Sequence, residues 1–139
     1  EYHIVWTTKY RYKVLRGRIA ERARELMRQS CNSMNVNILK GAIGKDHIHI
    51  LVSCPPSLAV SKLVQQLKGK ISRVLLNETK ELKRRYWGQR LWSSWYFCRS
   101  VGNVTRDTIK EYIENQQDEY EENFKIVEWV YSLNILSVS

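Results

Sequence analysis

Apolar and polar positions change period several times along the chain, and each change marks an element. His3–Tyr10 (HIVWTTKY) is rich in β-branched and aromatic residues and predicts a first strand. From Arg18 to Met34 the period becomes helical. Ile19, Ala23, Leu26, Met27 and Cys31 share one face, while Arg22, Arg24 and Arg28 decorate the rest. Val36–Ile43 predicts a second strand, loosened at its end by Gly41 and Gly44. After a tight connection at Lys45-Asp46, the segment His47–Cys54 alternates. Ile48, Ile50, Val52 and Cys54 fall on one side of this third strand, and His47, His49, Leu51 and Ser53 on the other.

Pro55-Pro56 stops that strand, and Ser57 is placed to cap a long helix from Leu58 to Tyr86. Its stripe is Val60, Leu63, Val64, Leu67, Ile71, Val74, Leu75 and Leu82, opposed by Lys62, Lys70, Arg73, Lys80 and Arg84. Gly69 within it costs about 1 kcal/mol relative to Ala. Leu91–Val101 predicts a fourth strand, Gly102-Asn103 a turn, and Thr105 the cap of a third helix over Arg106–Phe124. In Lys125–Ser139 the residues Ile126, Val127, Trp129 and Val130 point to packing or a partner contact.

The order β-α-β-β-α-β-α predicts an α+β fold of the ferredoxin-like kind: a four-stranded antiparallel sheet with the first two helices on one face. Those helices should cover Ile48, Ile50 and Val52. His47 and His49 are then left on the opposite face, which the third helix is free to cross.

With 139 residues, 43% of them hydrophobic, positions 1–139 fit a single domain with a real core. No apolar run approaches the ~20 residues that span a bilayer, and no signal peptide is visible. The chain begins at Glu1, without Met, inside a strand-like segment, so a few residues are expected to precede it. Cys31, Cys54 and Cys98 form no Cys-x-x-Cys motif; free buried thiols in a reducing cytoplasm are the expectation.

The net charge is +9 and unevenly placed. Residues 1–106 carry 21 of the 23 Lys and Arg against 6 of the 14 acids, whereas 107–139 carry 2 against 8. A basic body with an acidic end points to a polyanion partner for the body, with the acidic end docking on a basic surface of its own or of a second subunit. Lys9, Arg11, Lys13, Arg16 and Arg18 cluster after the first strand, and Lys83, Arg84, Arg85 and Arg90 after the long helix. Trp87, Trp92, Trp95 and Tyr96 are interleaved nearby. A base stacked on such a ring gains ~1–3 kcal/mol. Trp92 and Trp95 are expected instead to be core or dimer-contact residues.

Two imidazoles on one strand face, His47 and His49, can share a metal ion. Tyr112 and Gln116 lie four apart in the third helix and so on one side of it. The Gln116 amide oxygen offers a third ligand, and Tyr112 an oxygen nucleophile that needs activation from a free pKa of about 10. Side-chain chemistry alone leaves Mg²⁺, Mn²⁺ and Zn²⁺ open. Each element also has an ordinary reading: a histidine pair as polar surface, and Ile109, Tyr112, Ile113 and Tyr120 as a core stripe.

Taken together, Tyr2–Leu15 (YHIVWTTKYRYKVL), Asp46–Val52 (DHIHILV), Leu67-Lys68-Gly69, Leu91–Gly102 (LWSSWYFCRSVG) and Tyr112–Gln116 (YIENQ) give the chain its resemblance to a known family. It resembles the single-tyrosine HUH transposases of small insertion sequences, the TnpA type, over nearly its whole length. The resemblance implies cutting and rejoining of single-stranded DNA with Mg²⁺ or Mn²⁺. His47 and His49 match the family's metal-binding histidines, Tyr112 its nucleophile and Gln116 its third ligand. It further implies a 5′-phosphotyrosine intermediate, recognition of imperfect DNA hairpins, and a homodimer in which one subunit's tyrosine helix can complete the other's site. Tyr120 is the nearest rival nucleophile.

Three other readings compete. A non-catalytic single-strand-binding module would need none of His47, His49, Tyr112 or Gln116. A relaxase or replication initiator uses related chemistry, but the short single-domain chain with one plausible tyrosine on the third helix favours a transposase. A His-x-His-x-His phosphohydrolase would need a histidine at Leu51.

Overall fold

The computed structural model describes residues 1–117. They form β1 (Tyr2–Thr7), a 3-10 turn (Lys9–Arg11), α1 (Gly17–Ser33), β2 (Asn37–Ile43), β3 (His47–Ser53), α2 (Val60–Glu78), α3 (Lys80–Arg85), β4 (Phe97–Ser100) and α4 (Asn103–Gln117). The strands make one antiparallel sheet in the order β2-β3-β1-β4, the ferredoxin-like arrangement that the element order predicts. No described helix is long and apolar enough to cross a membrane.

Alternation along β1 and β3 sends Ile4, Trp6, Ile48, Ile50 and Val52 to one face, where Ala23, Leu26 and Met27 of α1 and Leu63, Leu67, Ile71 and Leu75 of α2 close over them. Each such aliphatic side chain, fully buried, contributes about 1.5–3 kcal/mol. The opposite face has a smaller cluster: Leu51 of β3, Ala42 of β2, Val101, and Ile109 and Ile113 of α4, with Leu39 beside them. The third helix therefore does cross the face left open by α1 and α2. Glu114 of α4 adds an ion pair to Lys40 of β2 at 3.0 Å. The acidic helix thus docks on a basic residue of its own chain, through an exposed contact worth at most about 1 kcal/mol.

Several boundaries differ from the sequence reading. The long helix is broken at Thr79, whose backbone is extended (φ −121°, ψ 106°). The break redirects α3 so that Leu82 and Tyr86 enter the core, and Tyr86 Oη donates to the Lys9 carbonyl at 3.1 Å. Ser57 is not the cap, because α2 begins three residues after it, with Ala59 at the N-cap. α4 begins at Asn103, which puts Thr105 inside it rather than at its cap.

Only Phe97–Ser100 of the expected fourth strand pairs with β1, apart from an isolated bridge between Thr8 and Trp92. The intervening carbonyls are drawn to a side chain instead: Lys68 Nζ donates to the Ser93 and Trp95 carbonyls at 2.7 and 3.2 Å. Trp92 Nε1 in turn donates to the Lys68 carbonyl at 3.0 Å. Among the thiols, all free, Cys31 is buried whereas Cys54 and Cys98 are half-buried. The expected end of the third helix at Phe124, Tyr120, and the segment 125–139 lie outside the described residues.

Candidate active site

His49 sits in the middle of β3, between β1 and β2. Its cross-strand partners are Val5 on one side and Ala42 on the other. Ala42 shares its face, and so does Leu51, two residues along β3. Both pack against Ile109 and Ile113 of α4. α4 is thus laid on the flank of His49, carrying Tyr112, which is half-buried, and extending through Gln116.

His47 stands two residues before His49 on the same face, and the ring centroids are 4.9 Å apart at an interplanar angle of 66°. Both are buried, His47 to 6% exposure and His49 to 0%, which removes the surface-polar reading of the pair. Burial, helped by the neighbouring His47 and His3, holds the His49 pKa well below its ordinary 6.5. His49 is therefore neutral at pH 7, the form in which imidazole ligates a metal.

His47 is fixed from two sides. Its Nδ1 lies 2.8 Å from Asp46 Oδ1, and Asp46 Oδ2 accepts from Arg11 Nε at 2.9 Å. Burial works against charge on Asp46, but the hydrogen bonds and charges of His47 and Arg11 outweigh it and lower the carboxyl pKa below 3.8. On the other side, a Cβ on Gly44 would overlap Cε1 and Nε2 of the His47 ring, so only glycine leaves the ring its place. Among the described residues no group of three His, Cys, Asp or Glu side chains is arranged for a metal ion.

The family description "Transposase IS200 like" matches residues 1–116. The chain belongs to this family. The IS200-like transposase is 34% identical over 118 residues to the ISDra2 transposase TnpA of Deinococcus radiodurans, covering 85% of this chain and 84% of the relative. It is 35% identical over 119 residues to the transposase for insertion sequence element IS200 of Salmonella typhimurium, covering 86% and 78%. A crystal structure of a candidate transposase from Deinococcus radiodurans R1 superposes with a TM-score of 0.68 at 31% identity, covering 83% of this chain and 88% of that one. A REP-associated tyrosine transposase bound to a REP hairpin superposes with a TM-score of 0.63. At 12% identity, covering 81% of this chain and 62% of the other, that likeness concerns the fold.

In this transposase the basic residues singled out from the sequence divide into groups. Lys83, Arg84, Arg85 and Arg90 are exposed and surround Trp87, itself 87% exposed. Arg85 lies over the Tyr12 ring at 4.1 Å and Lys9 over the Tyr10 ring at 5.2 Å. Tyr10, Tyr12 and Tyr86 continue as a ladder with centroid spacings of 5.5 and 5.6 Å. Lys13 is exposed. Arg16 and Arg18 border a surface groove together with Glu21, Arg22, Glu25, Glu78 and Glu81, where Arg22 pairs with Glu25 and Glu78. Arg11 is turned inward to Asp46. Trp92 is core, packed edge-to-face on Trp6, whereas Trp95 is 45% exposed in the single chain.

Sequence reasoning missed His3, although the chain has only three histidines and all three meet here. The antiparallel register sets His3 opposite Leu51, and its ring centroid lies 6.1 Å from that of His49. Alternation with Ile4 and Trp6 already placed His3 on the non-core face; what was missing was the register between β1 and β3. Burial, with a smaller contribution from Arg99, pushes the His3 pKa down to about 3.

These shifts have a consequence for stability. Both histidines have folded pKa values below the unfolded 6.5, so the unfolded chain binds more protons below that pH. Stability is fully present above pH 6.5 and falls as the pH drops toward the folded values. His3, with its folded value of about 3, should remove roughly 2 kcal/mol between pH 7 and pH 5, and His49 adds a loss of the same sign. Urea unfolding of the metal-free protein at the two pH values measures this; equal midpoints would refute neutral burial.

Proposed function

We propose that the protein cleaves and rejoins single-stranded DNA at insertion-sequence ends, with Tyr112 as nucleophile and His47, His49 and Gln116 as ligands of Mg²⁺ or Mn²⁺. The observation that carries this reading is the buried imidazole pair on the sheet face on which the Tyr112 helix packs, in a chain of the IS200-like family. The donor set fits such an ion: two neutral imidazoles and one amide leave its full double charge available to a phosphate. The ion, when bound, polarises the phosphoryl group and stabilises the departing oxygen.

Tyr112 Oη bonds to the phosphorus as the phosphorus–O3′ bond breaks. The phenol proton leaves to solvent or a base, and the leaving O3′ is protonated to a free hydroxyl. The 5′-phosphotyrosine conserves the energy of the broken bond. Attack by another 3′-hydroxyl on that linkage rejoins DNA without ATP and returns the phenol. A second copy of the chain belongs to this reading, the tyrosine helix of one subunit serving its own or its partner's histidines.

The DNA, a single strand carrying an imperfect hairpin, is bound by the exposed basic residues Lys13, Lys83, Arg84, Arg85 and Arg90 together with the half-buried Lys9. Unpaired bases stack on Trp87 and Tyr10. Phosphate contacts of this kind make affinity fall steeply with salt.

The test is incubation with single-stranded hairpin DNA from the element's own ends in Mn²⁺. A protein–DNA species that survives denaturant and carries the label of the fragment on the 3′ side of the cut, the 5′-side fragment leaving with a free 3′-hydroxyl, is the expected product. Cleavage without any such species would overturn the tyrosine mechanism.

A further inference from the structure

We propose that Arg11 and Asp46 are positioning residues that fix the tautomer of His47, holding its proton on Nδ1 so that Nε2 presents a lone pair to the metal. The inference rests on the metal-site reading above and assigns Arg11, at first sight one cation of a DNA-binding cluster, to the inside of the site.

The geometry is a chain of three groups. Asp46 is fully buried, and its two carboxylate oxygens are divided between Arg11 Nε at 2.9 Å and His47 Nδ1 at 2.8 Å. Arg11 can only donate, and a carboxylate can only accept. Asp46 Oδ1 therefore receives a hydrogen from Nδ1, so a ring carrying a single proton has its lone pair on Nε2. Such an outer partner both orients a ligating imidazole and raises its basicity.

The backbone is shaped to hold this chain. Tyr10 and Arg11 both adopt left-handed conformations (φ 63° and 56°), which non-glycine residues seldom take. The turn is tied by Arg11 N–H to the Thr8 carbonyl at 3.0 Å and by Thr8 Oγ1 to the Tyr12 carbonyl at 2.8 Å. Thr8 N–H also donates to the Asp46 carbonyl at 2.8 Å, which joins the end of β1 to the β2–β3 turn. The same strained turn exposes Tyr10 and directs Arg11 inward. Gly44 then gives the oriented ring its space.

The proposal makes an unusual prediction about two substitutions. In Asp46→Asn the side chain keeps its shape but has one acceptor and one donor. Arg11 claims the acceptor, so the amide N–H₂ faces His47 Nδ1. The ring proton moves to Nε2, and the ligand is lost. Adding Arg11→Met frees the amide to turn its oxygen to Nδ1–H, which restores the ligating tautomer. Losing a second partner should thus repair the damage from losing the first.

Imidazole ¹⁵N chemical shifts of the metal-free protein report the tautomer without any DNA. The expected results are protonated Nδ1 in the wild type, protonated Nε2 in Asp46→Asn, and protonated Nδ1 again in the double variant. Mn²⁺ titration should show roughly 10- to 100-fold weaker binding in Asp46→Asn, partly recovered in the double variant. An unchanged tautomer and unchanged Mn²⁺ affinity in Asp46→Asn overturn the proposal, and so does a double variant weaker than the single one. If Asp46→Asn does not fold, Arg11→Met alone carries the test. With one carboxylate oxygen released, Mn²⁺ affinity should fall several-fold, and an unchanged affinity counts against the idea. Failure of the wild type to bind Mn²⁺ at the two histidines would instead remove the metal-site reading itself.

Discussion

Tyr112→Phe is expected to bind hairpin DNA within about twofold of the wild type and to form no covalent adduct. The substitution removes one oxygen from a half-buried ring and leaves Ile109 and Ile113, which anchor α4 on the sheet, untouched. Hairpin binding through the exposed basic patch does not call on that oxygen. The reaction does, because phenylalanine has no atom that can bond to phosphorus. Cleavage should fall by at least ~10³-fold, or about 4 kcal/mol of barrier. A labelled hairpin substrate resolved under denaturing conditions distinguishes the two readouts. An adduct that persists in Tyr112→Phe would show that another residue is the nucleophile, with Tyr120 the first to examine. Mixed dimers extend the experiment: one subunit lacking Tyr112 and the other lacking His49 recover activity only if the tyrosine and the histidines of an active site come from different subunits.

Much of this arrangement was legible in the sequence, for identifiable reasons. The face of His47 and His49 follows from strict alternation in β3, and strand alternation survives errors in where a strand begins or ends. The packing of the third helix on that face follows from counting faces: two helices already cover Ile48, Ile50 and Val52, and the stripe of Ile109 and Ile113 needs another apolar surface. What could not be read were contacts between distant segments. His3 joins the histidines only through the β1–β3 register, and Arg11 reaches Asp46 only through a left-handed turn at Tyr10 and Arg11, which no local propensity favours. The reading of Arg11 as a surface cation was the natural one, because most arginines in a basic run face solvent. The overlong fourth strand has a similar origin. Trp92, Trp95 and Tyr96 have high strand propensity, but the Lys68 ammonium takes the Ser93 and Trp95 carbonyls.

His49→Ala is expected to abolish metal-dependent cleavage while hairpin binding persists. His49 is the more deeply buried of the two imidazoles, flanked by Ala42 and Leu51 where α4 docks. Without it an ion would keep only one imidazole, and the phosphoryl group would lose both its orientation and its compensating charge. Cleavage in saturating Mn²⁺ should fall at least ~10²-fold, a loss comparable to removing a dedicated transition-state donor. Alanine also leaves a void in a closed part of the fold, so His49→Gln, which keeps polarity and most of the volume, is the necessary companion. The two effects separate on pH. A glutamine cannot take up a proton, so His49→Gln should lose less stability than the wild type between pH 7 and pH 5. A variant that folds, binds hairpin DNA and resists acid better than the wild type, yet cannot cut, would assign His49 to the metal and not to the core. Undiminished cleavage by either variant in saturating Mn²⁺ would remove the ion from between these two histidines.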